Sequence, residues 1–135
     1  MGELKQACEA APAGRLGAIR AGLDAARAGW GEFGGVVLAG GVDYVDGEPV
    51  EVRVRKRSRR YTIDDDGAAV ARAGSPTGWL EVAERVVEEH WVNVNRRGVV
   101  FLPAVEGGAD LASLALQIAD TSAVVHAALL ELDDV

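Results

Sequence analysis

Apolar residues recur at spacings of three and four in three stretches of the chain, which is the pattern of amphipathic helices. The first stretch ends at the glycines that flank Trp30, and Pro12 predicts that any earlier helical turn is separated from it. The second stretch is expected to begin at Pro76, with Ser75 as its N-cap, and to end near His90.

The third helical stretch begins after Asp110, a good N-cap residue, and continues to about Leu132. Its apolar positions extend beyond one stripe, so this helix is expected to be buried on more than one side. Because a chain of 135 residues has few elements to cover such a helix, the pattern predicts a homodimer. The residues predicted for the dimer interface are Leu114, Ile118, Val125 and Leu129.

Strict alternation of apolar and polar residues indicates β-strands between the first two helices. The side chains expected to face the core from these strands are Val50, Val52, Val54, Tyr61 and Ile63. Asp46-Gly47 predicts a two-residue hairpin turn, and Gly40-Gly41 predicts a bulge in the strand before it.

A second hairpin is expected over residues 91–102, with its turn at Arg96-Arg97-Gly98 and its end at Pro103. The predicted order of elements is therefore α-β-β-β-α-β-β-α. It describes a single α+β domain over residues 1–135, in which an antiparallel sheet packs against helices.

The amino-acid composition limits the classes of function that this chain is expected to have. Hydrophobic residues make up 49% of the chain and the net charge is −7, which is typical of a globular domain and unfavourable for general nucleic-acid binding. Cys8 is the single cysteine, so no disulfide within the chain and no zinc site built on cysteines is expected. Without a secretory signal or a long apolar run, the sequence predicts a cytoplasmic protein that does not cross a membrane.

The stretch Tyr61-Thr62-Ile63-Asp64-Asp65-Asp66-Gly67 resembles a motif in a group of prokaryotic domains of unknown function. That group carries Tyr-x-Leu/Ile-x-Asp-Asp-Gly at the end of a strand, and the resemblance extends from about Val36 to Leu132. Asp64 stands where the group usually has Thr or Ser. The resemblance implies a bacterial protein but transfers no activity.

The predicted order of elements is also similar to the fold of type III secretion chaperones and related small regulators. Those proteins are acidic, have about this length and usually form homodimers. The resemblance is one of topology, so it implies a chaperone-like fold and a dimer without identifying a partner.

The basic run from Arg53 to Arg60 is the strongest local anomaly in this acidic chain. Strand alternation places Arg53 and Arg55 on one face of the sheet, where Arg60 on the next strand can join them. These three arginines are candidates for docking an acidic protein or a nucleic acid. The alternative is a polar face that prevents edge-to-edge pairing.

No arrangement of residues predicts catalysis, a cofactor site or a metal site. The chain lacks a nucleophile elbow, a phosphate-binding loop and a dinucleotide fingerprint. The acidic cluster Asp64-Asp65-Asp66 has consecutive rather than alternate acids, which favours a turn and helix cap over a cation site. His90 and His126 lie on different predicted helices and do not form a metal-binding pair.

Three hypotheses of function follow. The first is a non-enzymatic protein-binding or chaperone-like module that acts as a homodimer. The second is a small regulator that docks a nucleic acid or an acidic protein through the Arg53–Arg60 hairpin. The third is an enzyme whose site has no recognisable motif.

Overall fold

The computed structural model describes the backbone of residues 2–107 and 109–133, and the side chains of residues 14–107 and 109–132. The elements in chain order are α1 Gly2–Arg27, β1 Phe33–Asp43, β2 Pro49–Arg57, β3 Arg60–Asp64, α2 Ala68–Arg72, α3 Trp79–Glu89, β4 Asn93–Val94, β5 Val100–Glu106 and α4 Leu111–Asp133. The predicted order is confirmed, except that a further short helix, α2, precedes the middle helix α3. The Cys8 side chain lies outside the described residues.

The strands form one five-stranded antiparallel sheet in the order β1-β2-β3-β5-β4, so β1 and β4 are its edges. Helix α4 lies against β1, β2, β3 and β5, and it also contacts α1, α2 and α3. The fold is therefore α+β, with a sheet whose inner face is covered by helices.

The inner face of the sheet has the residues that alternation predicts. Val50, Val52 and Val54 are buried on β2, and Tyr61 and Ile63 are buried beside them on β3. The registered pair Val54–Ile63 lies at the centre of this layer. Because side chains in a strand point alternately to opposite faces, the neighbouring residues of β2 and β3 are directed to the outer face.

The burial of side chains on helix α4 contradicts the predicted dimer interface. Ile118, Val125 and Leu129 are completely buried within the single chain, so they have no surface to offer a second copy, and Leu114 is half-buried. The three other helices and the sheet surround α4 from within the same chain. Over Leu111–Leu132, α4 is also long and apolar enough to cross a membrane by length and composition alone, a property that core helices share.

Helix boundaries differ from the prediction at two places. Helix α1 continues through Pro12 without division, where alanines on both sides favour the helix. Helix α3 begins at Trp79 with Gly78 as its N-cap, rather than at Pro76. Ser75 is not the cap because its own backbone is left-handed, with φ 47°, and the chain makes a further turn before the helix begins.

Two strand predictions are also corrected. The β1–β2 loop has three residues, since Tyr44 and Glu48 are hydrogen-bonded across it and only Gly47 in the loop has positive φ. This geometry is a type I turn followed by a left-handed residue. Strand β5 passes through Pro103, because a shift of register between the pairs Tyr61–Val105 and Ile63–Leu102 places this proline in a bulge. The predicted bulge in β1 is confirmed between Ala39 and Asp43.

Candidate functional site

The outer face of the sheet holds the predicted arginine patch, but the arginines are paired there. The Arg53 Nε atom lies 3.1 Å from Asp64 Oδ1, and Arg55 Nη2 lies 3.2 Å from Asp64 Oδ2. Arg53 also contacts the Asp66 carboxylate at 3.1 Å. Arg60 is separate from this group and lies 3.8 Å from Glu106. The predicted face is confirmed, yet most of its charge is balanced within the chain.

The acidic cluster does not form a surface turn as a unit, because its three side chains point in different directions. Asp64 is buried beneath the two arginines, Asp65 is buried in the core, and the Asp66 side chain is 72% exposed. Gly67 has φ 77°, a left-handed conformation that fits the predicted turn at this position. In the part of the chain that the structure describes, no group of three or more His, Cys, Asp or Glu side chains is arranged to hold a metal.

Asp65 is the centre of a buried polar network that the sequence did not predict. Its carboxylate accepts hydrogen bonds from the backbone N–H groups of Gly67 at 2.9 Å, Val100 at 2.9 Å and Ala69 at 3.4 Å. The Ser122 hydroxyl donates to it at 2.7 Å. Burial raises the pKa of Asp65, although these hydrogen bonds favour the ionised form. The network joins the β3–α2 turn to β5 and α4.

Tyr44 extends this network towards the β1–β2 loop. Its hydroxyl lies 2.8 Å from the Ser122 hydroxyl, and burial raises the pKa of Tyr44. The Arg72 guanidinium lies 5.1 Å from the Tyr44 ring centre and 3.0 Å from the Asp46 carboxylate. His126 also packs against Tyr44. The two rings meet edge-on, with their centres 5.0 Å apart.

Ser122, His126 and Asp65 lie in the same core region but do not form a catalytic relay. In such a relay the serine hydroxyl donates to histidine and the histidine donates to the carboxylate. Here the Ser122 hydroxyl donates directly to Asp65, and His126 Nδ1 has no hydrogen-bond partner among the described residues. All three side chains are buried, so this arrangement connects core elements rather than presenting a nucleophile to solvent.

The burial of His126 predicts a pH-dependent stability. Burial lowers the pKa of His126, with Arg72 acting in the same direction and Asp46 in the opposite one. Since an unfolded histidine has a pKa of about 6.5, this contribution to stability is complete above that pH. Below it the unfolded state takes up the proton first, and the free energy of unfolding falls by up to about 1.4 kcal/mol per pH unit.

Urea unfolding between pH 7.5 and 5.5 measures this effect as the difference between the wild type and His126→Gln. The difference isolates His126 from Asp65, whose raised pKa acts in the opposite sense: its contribution is present at low pH and lost as pH rises through the folded-state pKa. His126→Gln is expected to lose less stability than the wild type as the pH falls. Equal slopes for His126→Gln and wild type would contradict the assignment.

Strand β1 forms a free edge with an uncharged, exposed outer side. Phe33 is 66% exposed and Val37 is 57% exposed, and the residues between and after them on this side are Gly35, Ala39 and Gly41. From Phe33 to Val42 the sequence contains neither a charged residue nor a proline. Proteins usually protect long edge strands with such residues, so this unprotected edge is available to pair with another chain. The absence of charge was visible in the sequence, but the edge position was not.

Arg15 blocks one end of the β1 edge. At Gly40 the Arg15 side chain donates to the carbonyl oxygen from Nε at 3.1 Å and from Nη2 at 2.9 Å. Arg15 is held there by an ion pair with Asp120 on α4. The register between β1 and β2 is unbroken from Phe33 to Ala39, so this regular segment is the accessible part of the edge.

Trp91 forms a second exposed feature, next to the opposite edge of the sheet. It is 86% exposed and has φ 62°, a left-handed conformation, at the residue that follows the C-cap of α3. The Val92 N–H donates to the Val87 carbonyl at 3.1 Å, which is the hydrogen bond of a helix-ending motif that normally contains glycine at this position. A left-handed tryptophan costs about 1–2 kcal/mol relative to a relaxed backbone. Trp91 is therefore unfavourable for the isolated chain.

Comparison of the chain with protein-family models, curated proteins and solved structures found no match. The function is therefore argued from the geometry. The structure brings Arg53 and Arg55 together on the outer face and places Arg60 apart from them. Of the predicted dimer residues it buries Ile118, Val125 and Leu129, while the β1 edge and Trp91 are exposed.

Proposed function

We propose that the protein is a non-enzymatic, chaperone-like module that binds segments of other proteins and acts as a homodimer in the bacterial cytoplasm. The observation that carries this proposal is the uncharged, exposed edge of β1 between Phe33 and Ala39. A free edge offers backbone N–H and C=O groups to an extended segment, while its apolar side chains contribute buried area. The similarity in topology to type III secretion chaperones supports the proposal.

The proposed dimer surface surrounds Trp91. An exposed indole next to a sheet edge is the kind of anchor that dominates protein interfaces. Strand β4 has only the residues Asn93 and Val94, and a depression of about 290 Å³ lies beside it between β4 and α3. A second copy that covers Trp91 would remove its apolar surface from water, and this would offset the backbone strain at that residue.

Replacing Trp91 with glycine separates stability from assembly. We expect the wild type to have twice the chain mass of 14.1 kDa by light scattering after gel filtration, and Trp91→Gly to have the mass of one chain. The free energy of unfolding of the monomeric variant is expected to rise by about 1 kcal/mol relative to the wild-type monomer at high dilution, because glycine relieves the left-handed strain.

A control for this experiment is Trp79→Phe, which alters the tryptophan at the start of α3 and leaves Trp91 in place. A wild type that is monomeric at tens of micromolar would contradict the dimer. A Trp91→Gly variant that remains dimeric would place the interface elsewhere.

Binding to an array of unstructured peptides tests the protein-binding function itself. We expect the labelled protein to bind a subset of extended sequences. Its affinity for them is expected to stay the same when the density of peptide on the array is lowered. If no peptide of any composition binds, the proposal is wrong.

The second candidate function, docking through the arginine hairpin, has weaker support. Arg53 and Arg55 already share Asp64, so an anionic partner must compete with a buried carboxylate. Salt-sensitive binding to a single-stranded oligonucleotide would favour this candidate. An enzymatic function would require the buried Ser122 and Asp65 to become accessible to a substrate.

A further inference from the structure

Positively charged side chains lie on the flank of the β1 edge. Arg57 and Arg55 on β2 are in register with Phe33 and Gly35 on β1. Both arginines are exposed on the outer face, and a depression of about 320 Å³ is bounded there by these two side chains, Phe33 and Thr62. This part of an otherwise acidic protein is positively charged.

Arg57 is the arginine that is free to meet a partner. Within the described residues no carboxylate lies at salt-bridge distance from Arg57, whereas Arg55 contacts Asp64. Neighbouring strands are about 4.8 Å apart, so a strand added to β1 lies about two spacings from β2. The long side chains of arginine and glutamate together bridge this distance. Gly35 has no side chain to obstruct their approach across β1.

We propose that β1 binds an extended segment of another protein that carries acidic side chains, paired with Phe33–Ala39 as an additional antiparallel or parallel strand. The segment's carboxylates lie on the outer face, where they meet Arg57 and Arg55 across β1, and its alternate side chains point to the other face of the sheet. This inference rests on the proposed protein-binding function and adds the chemistry of the partner.

Charge decides between an acidic peptide and the other possible occupants. A second copy paired edge to edge through its own β1 has no carboxylate between Phe33 and Val42 to meet Arg57 and Arg55. A nucleic acid could satisfy the arginines but cannot supply alternating backbone N–H and C=O groups to the free edge. An acidic extended peptide satisfies both the edge and the arginines.

Three synthetic peptides test the inference. Each has about eight residues, enough to pair with Phe33–Ala39, and alternates valine with glutamate, with threonine or with lysine. We expect the glutamate peptide to bind at least about tenfold more tightly than the lysine peptide, with the threonine peptide between them, and this preference to shrink as salt screens the charges. Equal affinity for all three would overturn the acidic preference while leaving protein binding intact.

Two variants with matched controls locate the site. Arg57→Glu is expected to weaken the glutamate peptide about tenfold, while Arg97→Glu, the same charge change in the β4–β5 turn, has little effect. Val37→Glu is expected to weaken the glutamate peptide and to strengthen the lysine peptide, because it adds a negative charge on the face where the peptide's charged side chains lie. Val45→Glu, the same change at an exposed valine in the β1–β2 loop, is expected to leave both affinities unchanged. Unchanged affinity for both peptides in Val37→Glu would overturn the β1 site.

Hydrogen exchange and an oligonucleotide complete the test. The glutamate peptide is expected to slow amide exchange in Phe33–Ala39, with no change at Asn93 and Val94 on the opposite edge. Protection confined to the opposite edge would overturn the proposal. So would tighter binding of a single-stranded oligonucleotide than of the glutamate peptide. A change of dimer mass in Val37→Glu without a change of peptide affinity would assign the β1 edge to a second copy.

Discussion

Replacing Asp65 with alanine is expected to lower the free energy of unfolding by about 3–4 kcal/mol, because it removes the common acceptor of a buried network. The Ser122 hydroxyl and the N–H groups of Gly67 and Val100 would each lose their partner inside the core. Every buried donor left without an acceptor costs about 1–3 kcal/mol, which exceeds the gain from removing a desolvated carboxyl. Urea unfolding monitored by tryptophan fluorescence measures the loss.

Asp66→Ala is the matched control, because Asp66 is the next residue and its side chain is exposed. Its contact with Arg53 is a surface ion pair, so a change of about 0.5 kcal/mol or less is expected. The free energy of unfolding of Asp65→Asn should fall between those of the two alanine variants. The amide keeps one acceptor oxygen, but its own N–H groups then face the N–H donors of the network. Equal stability of Asp65→Ala and Asp66→Ala would show that the network contributes nothing.

The central sheet was predictable because its signal is local. Val50, Val52 and Val54 alternate with polar residues, and this pattern alone identifies the face that packs on the helices. The position of Asp65 was not predictable in the same way. Its hydrogen-bond partner Ser122 lies 57 residues further along the chain, and only the packing of α4 against the sheet brings them together. A run of acidic residues in a turn is usually solvated, and here the tertiary contact changes that outcome.

The candidate site also depended on tertiary placement. The sequence of β1 lacks charge between Phe33 and Val42, but the same pattern would suit a strand at the centre of a sheet. Only the strand order shows that β1 is an edge and that its outer side is exposed. Trp91 was expected in a strand, and its real position after α3 depends on a left-handed backbone that residue preferences disfavour.

The arginine patch shows the opposite case, in which the geometry was predicted and the chemistry was not. Alternation placed Arg53 and Arg55 on the outer face, as the structure has them. Asp64 belongs to the same face by the same rule, because it is in register with Arg53 on the neighbouring strand. The ion pairs follow from that register, so a cross-strand alignment of the charges would have indicated a largely balanced patch.

Replacing Gly40 with valine is expected to lower the free energy of unfolding by about 3 kcal/mol or more, because strand β1 and helix α4 are in close contact there. A Cβ atom at Gly40 would lie 2.5 Å from the Ala119 Cβ atom and 3.2 Å from the Val50 carbonyl oxygen. Neither neighbour is the mobile end of a long side chain, so the strand and helix must separate. The Arg15 hydrogen bonds to the Gly40 carbonyl would be disturbed as well.

Gly35→Val is the control within the same strand. A Cβ atom at Gly35 would meet only the Arg55 Cγ atom at 3.4 Å and the Val54 carbonyl at 3.6 Å, on the exposed face, so a change within about 0.5 kcal/mol is expected. The double variant Gly40→Ala with Ala119→Gly tests the cause directly. It moves the methyl group from position 119 to position 40, so the close contact between two methyl groups does not form. The double variant is therefore expected to be more stable than the sum of the two single effects predicts, apart from about 1 kcal/mol lost because glycine is unfavourable in a helix. Simple additivity would show that the contact between β1 and α4 is not what makes Gly40 necessary.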